Sequence, residues 1–285
     1  MRWRSQDGRA ERTRDKHDEE DLVADLRRLG VGPGVLLVQS SLHSVGPVVG
    51  GAETVVCALR RVLGEEGTLV AYTATPENSV SSPSYRAATA GLDPAEVERF
   101  HSRMPAFDPL ETPSSPTVGR LAETVRTTPG ALRSSHPQTS FAALGPAAAW
   151  IVGSHPPESH LDDRSPLGRL YEANAMALLV GIPSWLFTPY HLADCRVPEP
   201  PRRPYECVTR GADGSRRWVT FDGVDLDDRH FPELGAAVRE RVAFGEGRLG
   251  DADCFLVPVA PAVDAATAWL SAGLSENRGR RDDNV

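Results

Sequence analysis

Lysine is almost absent from this sequence: Lys16 stands alone among 31 basic residues, which 39 acidic residues outnumber for a net charge of -8. A chain without a basic surplus lacks the footprint of a nucleic-acid binder, whose phosphate contacts need a cationic face. Cysteine is also scarce. Cys57, Cys195, Cys207 and Cys254 lie far apart with no C-x-x-C pair, which argues against zinc-ribbon spacing and a disulfide framework and predicts reduced thiols. No apolar run approaches the ~20 residues of a membrane helix, the stretches at 176–180 and 255–259 being among the longest. The first twenty residues mix both charges and hold no apolar segment, so they do not read as a secretory signal. The chain is expected to stay in the cytoplasm and to meet neither membrane nor nucleic acid.

What is present suits one large core: 40% of 285 residues are hydrophobic, enough for a single α/β domain with insertions. After a charged lead-in over 1–20, Leu22, Val23, Leu26 and Leu29 recur at helical spacing, and Gly30 follows where a left-handed C-cap is wanted. Residues 34–39 read as a strand, 52–63 as a helix opened by Gly50-Gly51, and 68–71 as a second strand. This strand, helix, strand order predicts a largely parallel central sheet flanked by helices. Periodicity then disappears across 75–115, where Pro76, Pro83, Pro94, Pro105, Pro109 and Pro113 punctuate polar sequence and only 95–103 suggests a short helix. An insertion of that length reads as a lid or binding loop. Helices follow at 117–126, after Pro146 and from Pro166, and 175–180 reads as a strand. Thr188-Pro189 then supplies a helix start, threonine as N-cap and proline in the first turn. Residues 205–210 and 216–221 flank a Gly-Ala-Asp-Gly turn as an antiparallel hairpin. A helix at 233–242, a strand at 254–257 and a helix at 260–270 close the fold. The domain is read as 21–274, with the insertion 75–115, the hairpin subdomain 205–221 and a flexible tail over 275–285.

Few motifs carry chemistry. Arg27-x-x-Gly30-x-Gly32 matches the phosphate loop of Gcn5-type acetyltransferases, but here the glycines end a helix instead of opening one, so the match is rejected. No mononucleotide P-loop is present. Ser40-Ser41-Leu42 follows the first strand at the carboxyl end, where open α/β sheets place ligands; it is either a site for an amide-rich arm or a plain polar strand exit. Arg133-Ser134-Ser135-His136-Pro137-Gln138-Thr139-Ser140 gathers a cation, hydroxyls and an imidazole, as a phosphate site or a turn would. In Thr188-Pro189-Tyr190-His191-Leu192-Ala193-Asp194 the histidine falls in the first turn of a helix, and the carboxylate lies three residues on, on the same face. The helix N-terminus disfavours an added positive charge, so His191 is expected to be neutral and able to act as a general base, with Asp194 orienting its ring. The competing reading is an exposed histidine in an i,i+3 ion pair. A metal would need a third ligand, and His155 and His160 lie in loops with no spacing that nominates them; no metal is expected.

Together, GVLLVQSSLHSVGPVVGGAETVVCALRRVLGEEGTLV, MPAFDPLETP with Gly119 and Glu123, RSSHPQTSFAALGP, DRSPLGRLYE, ALLVG and TPYHLAD resemble the aminoglycoside 3-N-acetyltransferase (antibiotic N-acetyltransferase) family, in the family's order and over most of the chain. The resemblance implies that fold, and transfer of an acetyl group from acetyl-coenzyme A to an amine of a 2-deoxystreptamine antibiotic, usually the 3-amine, by direct attack. The consequence would be antibiotic resistance. It implies that His191 is the catalytic histidine, that Asp194 stands where glutamate is usual, and that Thr188 lies beside the thioester. Ser40, Ser41 and Leu42 would line the pantetheine arm, with Arg133, His136, Pro137, Ser140 and Phe141 near the phosphates or the arm. Asp108 and Glu123 would serve an aminoglycoside or other polycationic amine, and the protein would be a monomer or homodimer. Gln39 replaces the usual histidine before the serine pair, and IPSWLFTPYH departs from the usual approach to the catalytic histidine. These departures leave room for an N-acyltransferase of another amine in a biosynthetic pathway, or for a non-catalytic coenzyme A or drug binder. A serine hydrolase ranks low, because no G-x-S-x-G elbow surrounds Ser40 or Ser41.

Overall fold

A capping box starts the first helix: Asp18 accepts from the backbone of Asp21, and the Asp21 carboxylate reaches back to the Asp18 amide. Gly30 ends it in the left-handed region at φ 88°, a conformation that side chains other than glycine adopt at a cost. In the computed structural model, which describes residues 16–211 and 213–282, the elements in chain order are as follows. α1 (Glu19–Leu29), β1 (Val35–Ser40), α2 (Ala52–Leu63) and β2 (Thr68–Tyr72) come first. The insertion holds α3 (Pro83–Thr89) and α4 (Pro94–Arg103), and α5 (Arg120–Thr127), β3 (Leu132–Arg133), β4 (Phe141–Leu144) and α6 (Ala148–Val152) follow it. Then come α7 (Pro166–Glu172), β5 (Met176–Val180) and α8 (Tyr190–Arg196), and the hairpin β6 (Arg202–Arg210) and β7 (Arg216–Val224). α9 (Phe231–Arg239), β8 (Gly245–Leu249), β9 (Ala252–Pro258) and α10 (Val259–Asp282) close the chain.

The seven-stranded sheet has the order β3-β4-β2-β1-β5-β9-β8. Its centre, β2-β1-β5, is parallel as the strand, helix, strand reading requires, and β4, β3, β9 and β8 are added antiparallel at the flanks. Both faces are covered, which is why the central strands read as unbroken apolar runs. Leu36 and Val38 of β1 face a core built with Leu22 and Leu26 of α1, Leu59 of α2 and Val125 of α5. Leu37, one residue out of phase, faces the opposite core with Leu167 of α7, Leu192 of α8, Leu234 of α9 and Val263 of α10. Truncating a fully buried leucine such as Leu59 would cost about 2–5 kcal/mol.

The insertion is more ordered than its prolines suggest, because the hairpin supplies its missing partners. Asn78 bonds Val208 through both amide atoms, Val80 donates to Glu206, and Phe107 and Val208–Arg210 exchange backbone bonds. The insertion and the β6–β7 hairpin thus form one layer beside the sheet. At the other end, α10 overruns the helix read at 260–270 and takes in part of the stretch read as tail. The remainder of that tail, 283–285, and most of the lead-in, 1–15, lie outside the described residues.

Candidate active site

The carboxyl ends of the parallel strands open onto a cavity of about 390 Å³ lined by Gln39, Ser40, Tyr72, Thr188, His191 and Asp228, among others. Sheets of this kind place ligands at that edge because the crossovers leave a crevice there. Gly119 closes one side at φ 87°: a Cβ on it would lie 2.9 Å from the Ser40 carbonyl oxygen, so glycine lets the start of α5 press against the end of β1. A larger cavity of about 720 Å³ adjoins it, sharing Tyr72, Thr117 and Val118. Its remaining wall includes the insertion (Ser79, Ser82, Arg86), the hairpin (Arg203, Tyr205), the loop before α9 (Asp225, Asp227, Arg229), and Gln138, Thr139 and His160 from beneath.

His191 is the second residue of α8, and its Nδ1 lies 3.1 Å from Oδ2 of Asp194. A neutral ring in that pair carries its proton on Nδ1 and keeps the Nε2 lone pair. Both side chains are largely covered, at 15% and 13% exposure, so the contact is better shielded than an open surface ion pair. The helix starts one residue later than its sequence suggests. Pro189 occupies the N-cap position, and Thr188 does not cap α8. The Thr188 side chain is engaged instead by Gln39, whose Nε2–H donates to Thr188 Oγ1 at 2.8 Å while its Oε1 accepts from the Thr188 amide at 3.1 Å. With its oxygen accepting from Gln39, the Thr188 hydroxyl proton is free to point at a ligand. Two further residues escaped the sequence reading. In the sequence Gln39 stands out only as a departure, and His230, whose Nε2 lies 2.9 Å from the other Asp194 oxygen, has no spacing to α8 that nominates it.

Other expected site residues are placed differently. Ser40 lines the His191 cavity, but the Ser41 hydroxyl accepts from Ser44 and Leu42 packs partly against the core. Arg133 does not present its guanidinium to a ligand. It donates to Thr73 Oγ1, Ser140 Oγ and the carbonyls of Thr73 and Thr112, and lies 5.0 Å from the Phe107 ring centroid. Burial, assisted by Arg126, lowers its pKa to about 10. His136, Pro137, Ser140 and Phe141 are likewise interior. His136 Nδ1 accepts from the amides of Gln138 and Thr139, and its Nε2 bonds the Pro157 carbonyl. The cation and hydroxyls of this stretch therefore tie the insertion to the sheet.

Asp108 is also committed: Oδ2 pairs with Arg210 at 3.1 Å and Oδ1 accepts from the Leu110 amide. Glu123 binds Arg126 through two nitrogens and accepts from the amide and hydroxyl of Ser114. Burial pushes the Glu123 carboxyl up, but these bonds outweigh it and bring it down to about 2. It latches the end of the insertion onto α5. The carboxylates that do line the cavities are Asp225, Asp227 and Asp228.

His155 and His160, which no spacing united in the sequence, converge on His136 with ring centroids 4.6 Å apart. They hold no evident metal set, since no group of three metal-ligating side chains is poised for an ion among the described residues. Burial above all keeps the three rings uncharged: His155 is lowered to about 4, His160 to about 3, and His136 well below its ordinary range. No helix among the described residues is long and apolar enough to cross a membrane.

A model of the family described as aminoglycoside 3-N-acetyltransferase matches residues 37–271. Aminoglycoside N(3)-acetyltransferase VII of Streptomyces paromomycinus is 34% identical over 289 residues, covering 96% of each chain. The crystal structure of YokD from Bacillus subtilis superposes with a TM-score of 0.85 at 31% identity, over 92% of this chain and 96% of that one. A binary complex of AAC-IIIb with CoASH superposes with a TM-score of 0.78 at 28% identity, over 90% and 97%.

Proposed function

Because the chain belongs to the aminoglycoside 3-N-acetyltransferase family, we propose that it transfers the acetyl group of acetyl-coenzyme A to the 3-amine of a 2-deoxystreptamine aminoglycoside, with His191 as general base. The observation that carries this reading is the His191–Asp194 pair facing the same cavity as the Thr188 hydroxyl. Aminolysis of a thioester needs both: a base for an amine that is not nucleophilic while protonated, and a donor for the oxyanion.

In this reading the pantetheine arm enters past Ser40, and the acceptor occupies the larger cavity. The ammonium form of the acceptor first gives one proton to solvent, and Nε2 of His191 removes the second as the neutral amine attacks, while Asp194 holds Nδ1–H. The amine nitrogen bonds the thioester carbon, and the carbonyl oxygen takes up charge beside the Thr188 O–H. When the C–S bond breaks, the thiolate leaves with the proton held by His191. The acceptor retains the acetyl group as an amide, and no acyl-enzyme is required. The cytoplasm, where acetyl-coenzyme A is made, is the compartment that suits this reaction, and acetylation of the drug would confer resistance.

One observation favours a second reading, an N-acyltransferase for another amine. The larger cavity holds Arg86, Arg203 and Arg229 beside Asp225 and Asp227, and two of these arginines pair with the two aspartates. An acceptor with an anionic group besides its amine suits that wall better than a polycation does. Thiol release from acetyl-coenzyme A, measured across aminoglycosides and acidic amines, tests both. Release with aminoglycosides supports the first reading and release only with acidic amines the second. Release without amine would indicate hydrolysis, and no release from a protein that binds coenzyme A would overturn catalysis altogether.

A further inference from the structure

Asp194 has two oxygens, and each faces an imidazole. Oδ2 meets His191 Nδ1 at 3.1 Å, and Oδ1 meets Nε2 of His230 at 2.9 Å. His230 arrives from the far side of the site, at the N-cap position of α9, and its side chain makes no cap bond to that helix. The ring is therefore not spent on starting α9. Phe231, 2% exposed, packs its ring 4.7 Å from the centroid of His191 and edge-on to His230 at 5.1 Å. This apolar wedge leaves the carboxylate as the polar link between the two imidazoles.

A carboxylate held by one bond turns readily, because the terminal torsion of aspartate is broad. A second donor on the other oxygen fixes its plane. We propose that His230 is a positioning residue for the transfer: its Nε2–H holds Oδ1 of Asp194, so that Oδ2 stays on His191 Nδ1–H and His191 Nε2 is presented to the acceptor amine. The proposal rests on His191 being the base. It explains how an aspartate on the same short helix as the base can orient it without a longer side chain.

The surroundings favour the arrangement. Asp227 of the preceding loop lies close enough to interact with His230 but is bound by Arg229, and Asp228 lines the cavity beside His191. Behind Asp194, the Cys195 thiol is pushed up by burial and by the carboxylates of Asp162, Asp194 and Asp163, with Arg202 opposing them. Asp264 of α10, which packs on α8, is drawn toward Arg196 at 3.9 Å. Among these groups His230 is the one placed to donate to Asp194 Oδ1.

The experiment compares His230→Phe, which keeps the ring volume and loses the donor, with His230→Gln, whose Nε2 can replace it. Imidazole ¹⁵N spectra of the resting enzyme, steady-state kinetics and the pH profile of kcat/KM are recorded for each. In the Phe variant the Nδ1–H signal of His191 is expected to broaden or shift. Its kcat should fall roughly ten-fold, the scale for losing a group that acts through the one it orients, with KM for both substrates nearly unchanged. The acid limb of kcat/KM should move to higher pH, because a carboxylate that loses a donor holds the added proton on His191 more tightly. His230→Gln should restore all three. If the Phe variant does not fold, His230→Ala supplies the donor-free arm.

A donor-free variant with unchanged spectrum, kcat and profile, beside an inactive His191→Ala, would overturn the role of His230 while leaving the base reading intact. A Gln variant as impaired as the Phe variant would overturn it in favour of packing. Full turnover by His191→Ala would remove the base reading, and this proposal with it.

Discussion

Acidification from pH 7 to 5.5 should cost this protein much of its stability through three buried imidazole rings. His136, His155 and His160 are buried with His136 tilted against the other two rings, and burial holds all three well below the ordinary imidazole value of 6.5. The unfolded chain binds protons at these positions once the pH drops below 6.5, whereas the folded chain takes them only near 4 at His155 and near 3 at His160. Their contribution is therefore fully present above 6.5 and is lost as the pH falls toward the folded values. At pH 5.5, one unit below the unfolded value, each ring forfeits about 1.4 kcal/mol, so three forfeit about 4 kcal/mol. Glu123 is lowered too, to about 2, but in a more acidic window. Its stabilisation is complete above its unfolded value of 4.5 and leaves this window untouched.

Unfolding 285 residues carries an entropy of roughly 0.6 kcal/mol/K, so Tm should drop by about 6 °C between pH 7 and 5.5. Calorimetric or circular-dichroism melts at half-unit pH steps measure this. His155→Asn removes one of the three titrating rings and should reduce the drop by about a third, whatever it does to Tm at pH 7. A flat Tm across the window, or an equal drop in wild type and variant, would refute the argument that these rings stay neutral in the fold.

His191→Ala should leave Tm and coenzyme A affinity, measured calorimetrically, near wild type while turnover falls by about 10²–10⁴-fold. Gln39→Glu keeps the acceptor for the Thr188 amide but puts an acceptor against Thr188 Oγ1, turning the hydroxyl proton inward; kcat should fall by roughly 10²-fold with little change in KM for acetyl-coenzyme A, and an unchanged kcat would exclude Thr188 as an oxyanion donor. Asp228→Asn should raise KM for a cationic amine more than Asp108→Asn, since Asp108 is paired with Arg210, and equal effects in initial-rate assays would place capture elsewhere. At ~0.5 M salt, where the Debye length is roughly 4 Å, wild-type KM should climb severalfold.

Local chemistry made much of the fold legible. α2 begins and ends where its pattern of Val55, Val56, Leu59 and Leu63 predicts, Gly30 caps α1 as read and α7 starts at Pro166 as read, because caps and periodicity are properties of a few neighbouring residues. β8 was missed for the same reason. Its sequence, Gly-Glu-Gly-Arg-Leu, has no strand character, and its pairing with β9 supplies the strand. The insertion likewise holds α3, which Ser82 caps with Pro83 in the first turn; in the sequence the same serine and proline read equally well as loop punctuation.

The candidate site divides along the same line. His191 and Asp194 could be paired from sequence because they share one helix face. Thr-Pro reads locally as a helix start, with the place of Thr188 beside the thioester implied only by the resemblance, and the partner of its side chain is Gln39, 149 residues away. The stretch from Arg133 to Ser140 gathers side-chain types that could hold phosphate, but the same types satisfy buried backbone. Which use prevails depends on whether something covers them. Here the insertion does: Thr112 and Phe107 come down on Arg133, and a guanidinium enclosed in that way is worth more as a fourfold donor to fixed oxygens than it would be reaching toward solvent. With Arg133 covered, only Gln138 and Thr139 of that stretch line the larger cavity, together with the loop that carries Asp225 and Asp227 and places Asp228 in the smaller one. That loop leads directly into His230, so a contact made there with the acceptor is only two residues from the group that faces Asp194.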